Sequence, residues 1–215
     1  LAIPFAFLGV AATAQITITQ ADIAPLYSVL RQVQDTIPAV SPGSAGTNQT
    51  WAMTGLNTHV VDTLTFTLPQ FTPFGPQIPG CNFAVIQTSP VASATYIYLN
   101  NNASALEIAG QAADPFGLGS PFAVAFSNPE TVAAFAMNYG DTLIDNARGD
   151  GQFPLGFDPG IGFVIDSVRV HTSITKNGSV DGWGSLTTPL GTYNTLRLNV
   201  LRKQIDTIDI YAFGT

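Results

Sequence analysis

Segments in which apolar and polar residues alternate follow one another along most of this chain, and turn residues separate them roughly every ten positions. Alternation with a period of two places successive side chains on opposite faces of a β-strand. Residues 164–175 are the clearest case, and Val168, Val170, Thr172 and Ile174 are predicted to share one face. Because no convincing helical period accompanies these segments, we expect an all-β chain.

About a dozen short strands without a substantial helix predict an antiparallel β-sandwich of jelly-roll type. Asn177-Gly178 is typical of a tight hairpin turn, since both residues accept a positive φ. Pro189-Leu190-Gly191 predicts a second turn, and residues 192–201 and 204–212 two further strands of a meander. Residues 149–162 are rich in glycine and are expected to form a loop.

The composition supports a single β-sandwich domain over residues 15–215. Hydrophobic residues make up 46% of the chain and charged residues only 10%, which supplies a sizeable core. Thr, Ser, Asn and Gln must then form most of the polar surface, as is common in secreted β-proteins. The only cysteine, Cys81, cannot form an internal disulfide, so packing must hold the fold.

The charge pattern excludes one class of partner. The formal net charge is −7, and the seven Lys and Arg residues form no basic run. Nucleic-acid binding requires clustered cations, so no nucleic acid is expected. No segment approaches the ~18 apolar residues of a transmembrane helix, so no membrane span is expected either.

Residues 1–14 read LAIPFAFLGVAATA, an apolar run that ends in Ala12-Thr13-Ala14. Small residues at these spacings are typical of signal-peptide cleavage, so the run predicts the C-terminal part of a signal peptide removed before Gln15. A buried first strand is the alternative. Export without disulfides favours a bacterial protein that is secreted or held at the cell surface.

Three segments carry a resemblance to a known family: Gly46–Trp51, Met137–Thr142 and Asp181–Arg197. They resemble, in this order, the "G-x-N-x-x-W", "Y-G-D-s" and "DGyGtL…LR" segments of bacterial type IX secretion substrates. The resemblance implies the N-terminal β-sandwich region of a secreted or cell-surface protein, usually followed by a C-terminal sorting domain. No sorting domain is visible before Thr215. The family is largely uncharacterised, so the resemblance implies location and architecture and no activity.

Catalytic patterns are weak. His59 and His171 lie on predicted strands, without a G-x-S-x-G or zinc-binding motif beside them. Cys81 would need a nearby histidine to act as a nucleophile. Glycoside hydrolysis needs two carboxylates across a cleft, and no spacing of Glu107, Glu130 or the aspartates singles out a pair. We therefore predict no catalytic residue and no enzyme, and keep a carboxylate-dependent glycoside hydrolase as the third hypothesis.

One polar stretch could hold a metal ion. Oxygen donors on a flexible, glycine-rich loop can bind Ca²⁺, and the candidates are Asp145, Asn146, Asp150 and Asp158. Their spacing is not that of an EF-hand. The alternative is a solvated turn in which these side chains bond to the backbone. No other cofactor is expected.

The aromatic residues allow two interpretations of their role. Rings that face outward could stack on glycans, and rings that face inward serve the core; the candidates are Trp51, Tyr96, Tyr98 and Trp183. Arg197 is expected to pair with a carboxylate or to cover a sheet face.

The leading hypothesis is a non-catalytic, exported domain of the cell surface or extracellular matrix, with a role in adhesion, structure or assembly. The second hypothesis is a carbohydrate-binding module. Expected partners are glycans, other surface proteins or further copies of the chain. An exposed row of rings would favour carbohydrate binding, and exposed strand edges would favour assembly.

Overall fold

A computed structural model describes residues 15–212, apart from residues 116, 118, 120, 159 and 161. The predicted signal peptide, residues 1–14, lies outside the described residues. The all-β class is confirmed, because strands make up 64% of the structure and no helix among the described residues reaches seven residues. Within the described residues, no helix is both long and apolar enough to cross a membrane.

Ten strands form one mixed sheet that is not closed. They are β1 (Val29–Gln34), β2 (Gly46–Ala52), β3 (Val60–Thr67), β4 (Phe83–Ser89), β5 (Ala92–Asn101), β6 (Ala105–Ala113), β7 (Phe122–Ala134), β8 (Thr142–Phe157), β9 (Ile165–Thr188) and β10 (Gly191–Ala212). Their order is β1-β3-β4-β5-β6-β7-β8-β9-β10, and β2 pairs with β9 outside this path. Fewer strands form than the expected dozen because segments such as 192–201 and 204–212 join into one.

β9 is the central strand of the C-terminal half. It has 24 residues and pairs with β10 from one end to the other. Its opposite edge is shared: β8 pairs with residues 165–179, and β2 pairs with residues 182–187. The predicted shared face is confirmed and is the inner one, since Val168, Val170, Thr172 and Ile174 are all buried.

Two loop predictions in this region are wrong. Asn177 pairs with Ile144 of β8 and with Leu201 of β10, so β9 runs straight through the Asn-Gly sequence. Hydrogen-bonded neighbours on both edges hold the backbone extended, and this overrides the local turn preference. Residues 149–157 likewise belong to β8 and not to a loop. The Pro189-Leu190-Gly191 turn is confirmed, because Gly191 (φ 146°) begins the returning strand.

The pairing of β2 with β9 departs from the antiparallel arrangement expected for the whole sheet. This pair is parallel, whereas all other strand pairs described are antiparallel. A Cβ atom at Gly184 would overlap the carbonyl oxygen of Gln49 and lie 2.5 Å from its backbone nitrogen. A Cβ atom at Gly182 would lie 3.2 Å from the carbonyl oxygen of Gly46. The two glycines of Asp181–Gly184 therefore allow the β2 backbone to approach β9.

Strands β7, β8 and β9 share one hydrophobic core. Its buried members are Phe122, Val124, Phe126, Ala147, Phe153, Val168, Val170 and Ile174. Gly149 and Gly151 of β8 leave room for the side chains of β7, since a Cβ atom at Gly151 would lie 2.9 Å from Cγ2 of Val124.

Replacing Gly184 with alanine tests the parallel pairing. The added methyl group has no room against the Gln49 backbone, so we expect Gly184→Ala to lower the free energy of unfolding by about 2 kcal/mol. Gly55→Ala is the matched control, because its Cβ atom would meet only Cγ1 of Val40 at 3.5 Å. Urea denaturation measures both variants. Equal stability of Gly184→Ala and the unchanged chain would contradict the close approach of β2.

Candidate functional surfaces

The three segments that carry the family resemblance meet at one place on β9. Gly46 of the first segment pairs with Gly182 of the third. The second segment reaches the same strand, because the N–H of Gly140 donates to the carbonyl oxygen of Val180 at 2.9 Å. The N–H of Val180 in turn donates to the carbonyl oxygen of Asp141 at 2.8 Å. These segments thus build the junction of β2, β8 and β9.

Arg197 of β10 also binds residues at this junction. Its Nε lies 3.3 Å from Oδ1 of Asp181, which confirms the expected carboxylate partner. Its Nη1 donates to the carbonyl oxygen of Gly43 at 2.6 Å, just ahead of β2. One guanidinium group therefore connects β10, β9 and the segment that leads into β2.

The four aromatic candidates do not come together. Trp51 is 5% exposed, and its Nε1 donates to the carbonyl oxygen of Ser44 at 3.0 Å. Tyr98 is fully buried, its hydroxyl lies 2.8 Å from Oγ1 of Thr72, and burial raises its pKa. The ring of Tyr96 packs edge-on against Phe74, with 5.6 Å between the centroids. These three rings serve packing.

Two of the aromatic candidates line cavities: Trp51, although buried, lines one of about 480 Å³ beside Leu196 and Leu198 of β10, and Trp183 lines another. The Trp183 cavity has a volume of about 200 Å³ and lies between the start of the described chain and the ends of β2, β9 and β10. Its polar lining is neutral and consists of Asn48, Ser185, Asn194 and Thr195. A single half-buried ring beside amides and hydroxyls is a small contact surface, not a row of rings in a groove.

The four Ca²⁺ candidates are spread along β8 and beyond it. Asp145 accepts from the N–H of Thr131 at 2.9 Å, and the backbone oxygen of Asn146 accepts from Asn128. Asp158 accepts from the N–H of Gly160 at 2.8 Å. An extended strand separates residues 145 and 158 by about 40 Å, so these side chains do not converge. Among the described residues, no group of three or more His, Cys, Asp or Glu is placed to hold a metal ion.

The two histidines are held by carboxylates. His171 contacts Asp150 through Nδ1 and Oδ2 of Asp209 through Nε2, the latter at 3.0 Å. Both ring nitrogens are therefore engaged. His59 makes its contacts with Asp35 and Thr36 through Nδ1 alone, whereas a relay from acid to nucleophile uses both nitrogens.

Cys81 is poorly placed for nucleophilic chemistry. Its Sγ donates to the carbonyl oxygen of Ile78 at 3.0 Å. Burial raises the pKa of its thiol. Reactive cysteines have a lowered pKa, because the thiolate is the nucleophile.

Glu130 forms a buried ionic cluster beneath β10. Arg202 binds it in a bidentate manner, with Nε 2.7 Å from Oε1 and Nη2 2.9 Å from Oε2. Nζ of Lys176 lies 2.8 Å from Oε1. Burial alone would raise the pKa of Glu130, but the hydrogen bonds from Arg202 and Lys176 outweigh it and lower the pKa. A carboxylate held ionised in this way is unsuited to act as the general acid of a glycosidase.

β10 is the long open edge of the sheet. It has 22 residues, about 70 Å of strand, and pairs only with β9 among the described strands. Bulges interrupt its register only between Arg197 and Leu198 and between Tyr211 and Ala212. The strand contains no proline. Its exposed apolar side chains are Tyr193, Leu201, Ile205, Ile208 and Ile210.

Most of the charged side chains that could protect the edge of β10 are bound to other residues of the same chain. Charged side chains on an edge discourage pairing with another chain. Here Arg202 is bound to Glu130, Asp206 accepts from Oγ1 of Thr172 at 2.8 Å, and Asp209 contacts His171. These charges are held against the sheet of their own chain and leave the backbone of the edge accessible.

Comparison of the chain with protein-family models, with curated proteins and with solved structures found no match in any of the three.

The lowered pKa of Glu130 predicts a pH dependence of stability. A carboxyl group whose folded pKa lies below its ordinary 4.5 stabilises the fold above that pH, and the contribution is lost as the pH falls through the folded pKa. We expect Glu130→Gln to lower the free energy of unfolding by about 2 kcal/mol at pH 7, and by progressively less below pH 4.5.

Denaturant titration at several pH values measures this difference. Glu107→Gln is the control, since the described partner of Glu107 is the neutral amide of Asn100, whose Nδ2 donates to Oε2 at 3.0 Å. A Glu130→Gln penalty that does not change with pH would show that the charge of Glu130 is not what stabilises the cluster.

Proposed function

We propose that this chain is a non-catalytic, exported β-domain with a structural role, and that it assembles through the open edge of β10. The observation that carries the proposal is the long, regular and partly apolar edge of that strand. An unpaired edge presents a row of N–H and C=O groups to another strand. Assembly by strand addition uses these groups directly.

The proposal also includes the detailed architecture of the domain. We propose that the sheet folds into a sandwich of jelly-roll type, and the hydrophobic core shared by β7, β8 and β9 favours this. The resemblance to the N-terminal region of type IX secretion substrates adds a location at the cell surface or in the extracellular matrix. The meeting of the three resembling segments at one junction supports that resemblance, since segments that build one feature have a reason to occur together.

Assembly fits the geometry better than the two other hypotheses. Glycan binding by stacking favours a row of exposed rings, whereas Trp51 and Tyr98 are buried. Carboxylate hydrolysis favours one acid with a raised pKa, whereas the pKa of Glu130 is lowered by its cationic partners. The β10 edge needs no rearrangement to accept a strand.

Sedimentation equilibrium tests the proposal. We expect the unchanged chain to self-associate and Ile208→Lys to weaken association at least about tenfold, because a lysine there is unfavourable against an apolar neighbour. Ile144→Lys is the matched control: Ile144 is 73% exposed on β8, away from the edge, and its replacement should leave association unchanged. A chain that is monomeric at all concentrations would contradict the proposal, as would equal effects of the two variants.

A further inference from the structure

We infer that the strand added to β10 is the β10 of a second copy, antiparallel and related by a two-fold axis that passes through Gln204. The inference rests on the proposed function and adds its partner and its register. The two sheets then join into one continuous sheet.

Symmetry limits the registers to be considered. A two-fold axis normal to the sheet reverses the strand direction and keeps each face on its own side. Inner-face residues of one copy therefore oppose inner-face residues of the other, and the residue on the axis opposes itself. Alternation is regular between the two bulges of β10, so this rule applies to the whole stretch from Leu198 to Tyr211.

The inner face of β10 carries a polar ladder centred on Gln204. Nη1 of Arg202 donates to Oε1 of Gln204 at 2.8 Å, and Nε2 of Gln204 donates to Oδ2 of Asp206 at 2.8 Å. An axis through Gln204 places Arg202 of each copy opposite Asp206 of the other. Two opposite-charge cross-strand pairs form, and the two Gln204 side chains face each other as an amide pair.

The same axis matches the apolar side chains farther along the strand. Val200 of one copy opposes Ile208 of the other, and Leu198 opposes Ile210. Ile208 is 47% exposed and Ile210 is 60% exposed in the single chain. Pairing would cover both, so the register buries apolar surface at the same positions where the single chain leaves it in water.

Neighbouring registers are less favourable. An axis through Asp206, Lys203 or Arg202 places a charged residue directly opposite its own copy, and like charges so placed are destabilising. An axis through Ile205 opposes Leu201 to Asp209 and Arg202 to Ile208, which pairs these two charges with apolar side chains. Gln204 is the position about which both charge and apolarity match on the inner face, although the same axis sets Lys203 opposite Ile205 on the outer face.

Cysteine cross-linking tests the register, in the full chain with Cys81→Ala as the background. Gln204→Cys should form an intermolecular disulfide under mild oxidation, since directly opposed Cβ atoms lie about 5 Å apart, close to disulfide reach. Thr207→Cys is the matched control, because Thr207 would oppose Leu201 and lie about 20 Å from its own copy. Val200→Cys and Ile208→Cys should each fail alone and cross-link when mixed.

The outcomes separate this inference from the proposed function. Cross-linking of Gln204→Cys, together with cross-linking of the mixed pair, supports the register. Association with the strongest cross-linking at another β10 position overturns the register and leaves edge assembly standing. Cross-linking of Ile208→Cys to Leu30→Cys on β1 would indicate head-to-tail pairing and overturn the two-fold partner. Absence of association overturns both.

Discussion

β9 is hydrogen-bonded along both of its edges, to β10 on one side and to β8 and then β2 on the other. A strand paired on both sides has no freedom to turn, so it stays extended for 24 residues. The neighbouring strands β2, β8 and β10 are positioned by their hydrogen bonds to β9. β10 is as long as it is because it follows β9, and its outer edge is open because no described strand lies beyond it.

Two features stabilise this arrangement, namely the glycines of β9 and the ionic contacts of Glu130. Gly182 and Gly184 remove the side chains that would keep β2 away from β9. Glu130 of β7 binds Arg202 of β10 and Lys176 of β9, and so connects the edge strand to β7, three strands away in the sheet order. The middle of β10 is therefore held in place before any partner arrives, which lowers the ordering cost of strand addition.

The parts of the fold that could be predicted from the sequence depend on local pattern. The shared face of residues 164–175 follows from alternation, and the Pro189-Leu190-Gly191 turn follows from backbone preference. Asn177-Gly178 does not form the predicted turn, because hydrogen bonds on both edges of β9 outweigh the turn preference of these two residues. Other features depend on residues that are far apart in the chain. They are the parallel β2–β9 pair, the burial of Tyr98 and the Glu130–Arg202 contact. No local pattern encodes such contacts, and the facing of a strand is uncertain by one residue until its neighbours are known.

Amide hydrogen exchange along β10, followed residue by residue at several protein concentrations, tests the central claim most directly. In a single chain, alternate amides of an edge strand bond to the neighbouring strand while the others face water. Edge pairing predicts that the water-facing amides between Leu198 and Ile210 exchange quickly at low concentration and become protected as concentration rises. Exchange at these amides that is fast at every concentration would contradict assembly through β10.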